Sequence, residues 1–142
     1  QTDEAKDVSK ENTLAFSITA QNEVILNDKP VAVADIRRRI VDFVRMRGAQ
    51  HLILVDANPA SDYNTYFTLE NEIVAAYAEV RNAEAKRRYH RDYASCTDEQ
   101  RKKVRDIYPQ HLSETYNTAE VNNSSEDNKT SKAVDEKKGG AE

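Results

Sequence analysis

The sequence predicts a small α+β domain in which a mixed β-sheet carries its helices on one face. Three stretches support this fold class. Leu52 to Val55 is an uninterrupted apolar run of strand length, which fits a central strand covered on both faces. Apolar residues from Tyr66 to Val80 recur at steps of three and four, as on one face of a helix. Thr13 to Ala20 alternates apolar and polar residues, as a half-buried strand does.

Turn residues divide the first half of the domain. A second short strand, Val24 to Leu26, follows the first across a tight polar connection and forms a hairpin with it. The segment from Asn27 to Pro30 ends this strand, because Asn and Asp bond their own backbone and proline cannot donate to a ladder. A helix then begins near Val33 and stops at Gly48, a residue typical of helix C-termini.

The second half of the domain is predominantly helical. Asn82 to Tyr93 is predicted to continue the long helix as a strongly basic segment. Thr97 and Gln100 have the spacing of a capping box and start a short helix that Pro109 stops. His111 to Tyr116 is predicted to be the last strand, so the element order is ββαβααβ.

Charge and apolar content divide the 142 residues into a central domain and two polar tails. Residues 1–12 and 118–142 contain too few apolar residues to offset the entropy of ordering, so we expect both tails to be disordered. The folded domain is expected to span residues 13–117. Asp and Glu balance Lys and Arg in that domain, and the net charge of −4 lies in the tails. A neutral domain argues against nucleic-acid binding, which usually needs a basic surplus.

No pattern in the sequence indicates a metal or phosphate site. His51, His90 and His111 are scattered, and Cys96 has no partner at ligand spacing. With 3 glycines in the chain, a glycine-rich phosphate loop is not available. We therefore expect no cofactor.

An acid–base pair is the one catalytic arrangement that the turn after the central strand suggests. Asp56 and Asp62 flank this turn, but they already suit turn and capping roles, and Ser61 or Asp62 can cap the long helix. A catalytic pair also needs a cleft and a partner that the sequence does not show. We therefore expect no enzymatic activity.

Two stretches, Ser17 to Val31 and His51 to Arg81, resemble the periplasmic domain of the ExbD/TolR family of biopolymer-transport proteins. In that family a short strand ending in Asn-Asp-x-Pro-Val precedes a helix, and a later strand leads through an Asp-Tyr turn into the second helix. The matching positions here are Asn27, Asp28, Pro30, Val31, Ala57, Asp62 and Tyr63. Compact members pass almost directly from the second helix to the last strand, whereas Lys86 to Ile107 intervene here.

The resemblance implies the periplasmic arm of a single-pass inner-membrane protein. With an ExbB-like channel partner, such a subunit uses the proton gradient to energise TonB-dependent uptake across the outer membrane. The arm is expected to form a homodimer and to contact a TonB-like protein, without nucleic acid. The family's membrane helix, with its proton-carrying Asp, is not among these residues, so we expect residues 1–12 to be a periplasmic linker that follows it.

Partner binding is expected at sheet edges, where unpaired backbone can accept another strand. The candidate residues lie in the two short strands: Val24, Ile25, Leu26, His111, Leu112, Ser113 and Tyr116. The alternative is that tails and charges protect these edges. Two other functions stay open: a TolR-like subunit that binds peptidoglycan, and a small nucleic-acid-binding domain that uses Arg37 to Arg39 and the basic segment from Lys86 to Arg105.

Overall fold

The computed structural model describes residues 10–116, which form a five-stranded sheet and three α-helices. The predicted α+β class is therefore confirmed. The predicted disordered tails, residues 1–12 and 118–142, fall outside the described residues except for Lys10 to Asn12. These three residues are ordered, contrary to the prediction: Lys10 and Glu11 have helical backbone, and the carbonyl of Asn12 accepts a 2.8 Å hydrogen bond from the amide of Leu52.

Five strands build the sheet: β1 (Thr13–Ile18), β2 (Val24–Leu26), β3 (Lys29–Pro30), β4 (Leu52–Ala57) and β5 (Leu112–Tyr116). Their order across the sheet is β3-β2-β1-β4-β5. The two central strands, β1 and β4, are parallel, and Thr13 lies opposite Leu52. β2 and β3 continue the sheet antiparallel on one side, while β5 pairs in parallel with β4 on the other. The sheet is therefore mixed, as predicted.

A left-handed turn at Asn27 and Asp28 creates β3, which the sequence did not predict. The φ angles of these residues are 49° and 72°, as in the two-residue turns favoured in hairpins. The Asn27 side chain is also tied to β1, because its Oδ1 accepts a 2.9 Å hydrogen bond from the amide of Ala15. The predicted turn over residues 27–30 is therefore a tight turn followed by a two-residue strand.

Three α-helices cover the sheet: α1 (Val33–Arg47), α2 (Tyr63–Tyr89) and α3 (Asp98–Ile107). Asp62 caps α2 by accepting a 3.0 Å hydrogen bond from the amide of Asn64. Thr97 and Gln100 form the predicted capping box at α3, and Gly48 ends α1 as predicted. Short 3-10 helices occupy Gly48–Gln50 and Tyr93–Ser95. Within residues 10–116, none of the helices has both the length and the apolar character needed to cross a membrane.

The main core lies between the helices and one face of the sheet. Alternate side chains of the central strands are buried there: Leu14, Phe16, Ile18, Ile53, Val55 and Ala57. The predicted helical face of α2 meets them through Leu69, Ile73, Tyr77 and Val80, all of which are buried. The predicted packing of helices on one face is therefore confirmed.

The opposite face of the sheet is open, so the expectation that β4 is covered on both faces is wrong. Leu54, in the middle of the apolar run, keeps 36% of its surface exposed, and Asp56 is exposed as well. The reason is that the packed helices lie on a single side of the sheet. A short apolar run is compatible with a fully buried strand. It is equally compatible with a strand that is buried on one face and carries one extra apolar residue on the other.

α2 reaches beyond the sheet and supports a second, smaller core. Its 27 residues span about 40 Å, roughly twice the length of the six-residue β4. Beyond the sheet, Ala85, Cys96 and Val104 are buried together. α2 ends at Tyr89 and not at Tyr93 as predicted, because His90 takes the left-handed conformation with a φ of 59°. We call residues 81–108 the helical extension.

Candidate functional site

β5 is an edge of the sheet, as predicted. It pairs with β4 along one side, from Leu112 opposite Ile53 to Tyr116 opposite Ala57. Along its other side, no strand among residues 10–116 pairs with it. Edge strands of this kind are where another strand can add to a sheet.

β2, the other predicted edge, is not one. It lies between β1 and β3, and the side chains of Val24 and Leu26 are buried in the core, while Ile25 is half-buried. The physical reason is the left-handed turn at Asn27 and Asp28, which brings the chain back alongside. The true edge on that side is β3, which is two residues long and includes Pro30, a residue that suits an edge strand.

The two faces of β5 differ in character. Leu112 packs against the main core, and Glu114 lies on the same helix-facing side, opposite Val55. An inward-facing charge on an edge strand discourages unspecific pairing. Ser113 and Thr115 face the open side of the sheet and are exposed. His111, just before the strand, is exposed.

An apolar flank of α2 lies beside β5. We define the α2 flank as Tyr63, Phe67, Glu70 and Val74, which recur at steps of four and three on one side of the helix. Tyr63, Phe67 and Val74 expose 55%, 50% and 57% of their surface, and the rings of Tyr63 and Phe67 stack with centroids 6.1 Å apart.

Two contacts show which way the α2 flank faces. Arg81, seven residues after Val74 and so on the same side of α2, donates a 3.0 Å hydrogen bond from Nε to the carbonyl of Tyr108, shortly before β5. On the other side of the helix, Glu72 accepts a 2.9 Å hydrogen bond from Arg37 of α1. The α2 flank therefore faces away from α1 and towards the β5 edge.

A buried histidine anchors the base of β5, and no sequence pattern indicated it. His51 lies just before β4, with Nδ1 2.7 Å from the carbonyl oxygen of Gly48 and Nε2 2.5 Å from the Tyr77 hydroxyl. A neutral His51 satisfies both, donating from Nδ1 and accepting at Nε2. The ring of His111 stacks on His51 at a centroid distance of 5.4 Å, and its Nδ1 lies 3.1 Å from the His51 carbonyl oxygen.

Burial sets the protonation of this network. It lowers the pKa of His51, and the charges of His111 and Arg81 lower it further, against the opposing effect of the Gly48 hydrogen bond. Burial also raises the pKa of Tyr77 and lowers that of Arg81. His51 is therefore neutral at physiological pH, and the network joins the starts of β4 and β5 to the middle of α2.

The histidines do not form a metal site. The structure brings His51 and His111 together although they are distant in sequence, while His90 caps the far end of α2. Both ring nitrogens of His51 are already hydrogen-bonded to the protein. Across residues 10–116, no group of His, Cys, Asp and Glu side chains is arranged to hold a metal ion.

The predicted turn carboxylates have structural positions. Asp62 caps α2, and Asp56 is exposed on the open face of the sheet. A groove of about 530 Å³ between the starts of α1 and α2 includes neither of them, and Glu23 is its one ionisable lining residue. General acid–base chemistry needs at least one further positioned group there.

Most basic residues of the helical extension form ion pairs with acidic residues of the same segment. Residues 81–108 contain nine Lys and Arg against five Asp and Glu. Arg87 and Arg88 share the nearly buried carboxylate of Glu84 at 2.5 and 2.7 Å, and these hydrogen bonds lower the pKa of Glu84. Further ion pairs join Lys86 to Asp92, Arg101 to Asp98 and Lys102 to Asp106. The predicted Arg37 to Arg39 patch is likewise partly paired, through Arg37 with Glu72 and Arg38 with Asp35.

Comparison with known proteins adds no relative: no model of a known protein family matches the chain, and no curated protein does. The β5 edge with the neighbouring α2 flank is the surface whose geometry best suits a partner.

Proposed function

We propose that this chain is the periplasmic arm of an ExbD-like subunit in a complex of the ExbB–ExbD–TonB kind. In this role the arm forms a homodimer and contacts a TonB-like protein, while an ExbB-like channel partner engages a membrane helix outside these residues. The observation that carries the proposal is that β5 forms an edge of the five-stranded sheet of residues 10–116 and lies beside exposed apolar side chains.

The residues that carry the family resemblance support the proposal through their positions. Asn27 and Asp28 form the left-handed turn, and Pro30 lies in the edge strand that this turn creates. Asp62 caps α2, and Tyr63 is the first residue of that helix. Each of these residue types therefore lies at a position whose backbone conformation favours it. This is what we expect if the chain shares the fold of the family that it resembles.

The edge also gives the arm a way to work without an active site. An extended segment added to β5 gains main-chain hydrogen bonds along the strand. Binding of this type transmits a pull along the backbone, as an arm that couples two membranes needs.

A binding comparison tests the proposal. The full-length protein should co-purify with the ExbB-like protein of the same cell, and its periplasmic part should bind periplasmic segments of TonB. The residues encoded before Gln1 should include roughly twenty apolar residues that contain an Asp. Binding to purified cell wall without binding to TonB segments would indicate a TolR-like subunit. An ordinary soluble start and no ExbB-like partner would overturn the proposal.

A further inference from the structure

The position of the α2 flank limits what can pair with β5. A strand added to β5 would lie about 4.8 Å beyond it, with side chains alternating between the two faces of the sheet. On the helix side these side chains would meet Phe67 and Val74, which are half-exposed. On the other side they would continue the polar row of Ser113 and Thr115 into water. The incoming segment therefore needs apolar residues at alternate positions.

Glu70 adds a charge requirement in the middle of the α2 flank. It lies between Phe67 and Val74 in the helical spacing, and its Oε2 is buried without a hydrogen-bond partner among residues 10–116. Glu114 of β5 faces the same side of the sheet. A partly buried carboxylate is costly without an opposite charge nearby, so a Lys or Arg opposite Glu70 would be favoured.

We infer that β5 and the α2 flank form one docking site for an extended basic and apolar segment of a partner protein. Its helix-facing residues follow the order apolar, Lys or Arg, apolar. The inference rests on the proposed function, because it specifies the chemistry of the segment that the β5 edge accepts there.

Two other occupants fit the site less well. The chain that follows Tyr116 is a polar stretch whose largest apolar side chains are those of two valines, Val121 and Val134, so it offers little to cover two aromatic rings. A second copy would place its own Glu70 or Glu114 near the same carboxylates, and like charges in a buried contact are unfavourable.

Peptide titration of the full chain tests the site. The probe is a synthetic peptide, Thr-Val-Thr-Lys-Thr-Val-Thr, compared with the same peptide carrying Glu in place of Lys and with a reordered peptide, Thr-Thr-Val-Val-Lys-Thr-Thr. Amide shifts of β5 report binding. The Lys peptide should bind about tenfold more tightly than either of the others. The Glu peptide loses one charge-assisted contact and the reordered peptide loses an apolar contact, and each loss changes the affinity by about that factor.

Variants of the α2 flank should change this preference. Phe67→Ser should weaken the Lys peptide about tenfold, and Glu70→Lys should reverse the preference in favour of the Glu peptide. Met46→Ser is the matched control, because Met46 is an exposed apolar residue of α1. It should leave all three affinities unchanged.

Three outcomes would overturn the inference. The first is that the Lys peptide does not bind, and the second is that Phe67→Ser and Glu70→Lys leave its affinity unchanged. The third is that the chain forms a dimer that Phe67→Ser dissociates but that the Lys peptide does not. In that case a second copy of the chain occupies the site. If Ser113→Pro abolishes capture of TonB segments while the flank variants do not, the inference fails and the proposed function stands.

Discussion

The two halves of α2 lie in unlike surroundings. From Tyr63 to Val80 its buried face packs into the main core against β1 and β4, whereas past Arg81 it supports only the helical extension. Because stabilisation by burial scales with the apolar area removed from water, the first half is held far more strongly. One continuous helix therefore belongs to two units of unequal stability.

The helical extension compensates for its small core with polar contacts. Asn82 accepts a 2.8 Å hydrogen bond from the amide of Tyr93, and Arg101 donates one of 2.5 Å to the carbonyl of Cys96. Such hydrogen bonds contribute about 1 kcal/mol each, less than the burial of a large apolar side chain. The extension is therefore expected to open locally before the sheet unfolds.

The largest expected effect is in the main core. Ile53→Ala should lower the free energy of unfolding by about 2–5 kcal/mol, because Ile53 is fully buried and its loss leaves a cavity. Leu54→Ala, one position along the same strand, should cost less than about 1 kcal/mol, because Leu54 lies on the open face. Chemical denaturation of both variants measures the difference. Equal losses would mean that a partner covers the open face.

The second prediction concerns the helical extension. Val104→Ala truncates the largest of the buried side chains in the small core and should cost about 1–3 kcal/mol in the local opening of α3. Amide exchange should speed up across Asp98–Ile107 and stay unchanged in β1 and β4. Faster exchange throughout the sheet would show that the two units unfold together.

His51 makes the stability of the main unit depend on pH. Its pKa is lowered in the folded state, so the unfolded chain takes up the proton first. Stability is therefore complete above about pH 6.5 and falls as the pH drops towards the folded-state pKa, by at most about 1.4 kcal/mol per pH unit. Denaturation at several pH values between about 7 and 5 measures this slope, in the range where histidine titrates.

Two substitutions assign the slope to its residue. His51→Gln should flatten it, while His90→Asn should retain it, because His90 is exposed and Asn tolerates its left-handed backbone. A slope that survives His51→Gln would assign the titration to another group.

The smallest expected effect compares two Arg–Glu contacts. Glu84→Gln should destabilise the extension by about 1 kcal/mol, since Glu84 is nearly buried and accepts from two arginines. Glu72→Gln should cost about 0.2–1 kcal/mol, because its contact with Arg37 is more exposed. Amide exchange in α3 and global denaturation, respectively, report the two changes. A larger loss for Glu72 would reverse the ranking of the two contacts.

Local patterns predicted most of the fold. The alternation in β1, the helical spacing in α2 and the capping box at Thr97 each depend on near neighbours, and each was confirmed. The one-sided burial of β4 could not be predicted, because it depends on where distant helices cross the sheet. β3 was missed because its two residues show no alternation, although Asn27 and Asp28 are typical of the turn that forms it.

The candidate site was predicted in part. Both short strands were expected at sheet edges: β5 is an edge, but the edge position of β2 was wrong. The contacts of His51 with Tyr77 and His111 join residues far apart in the chain, so spacing carries no trace of them. The α2 flank is visible as apolar residues on a second side of the helix, a signal that is easily hidden by the stronger core-facing pattern of α2.

α2 is one continuous helix that connects the sheet to the helical extension. Between Tyr63 and Tyr89 the helix contains neither proline nor glycine, the residues at which helices usually bend. A sideways force on the helical extension is therefore passed along the helix into the main core, where Leu69, Ile73 and Tyr77 of α2 are buried. The helical extension and the sheet are therefore joined by one stiff element and not by a flexible linker.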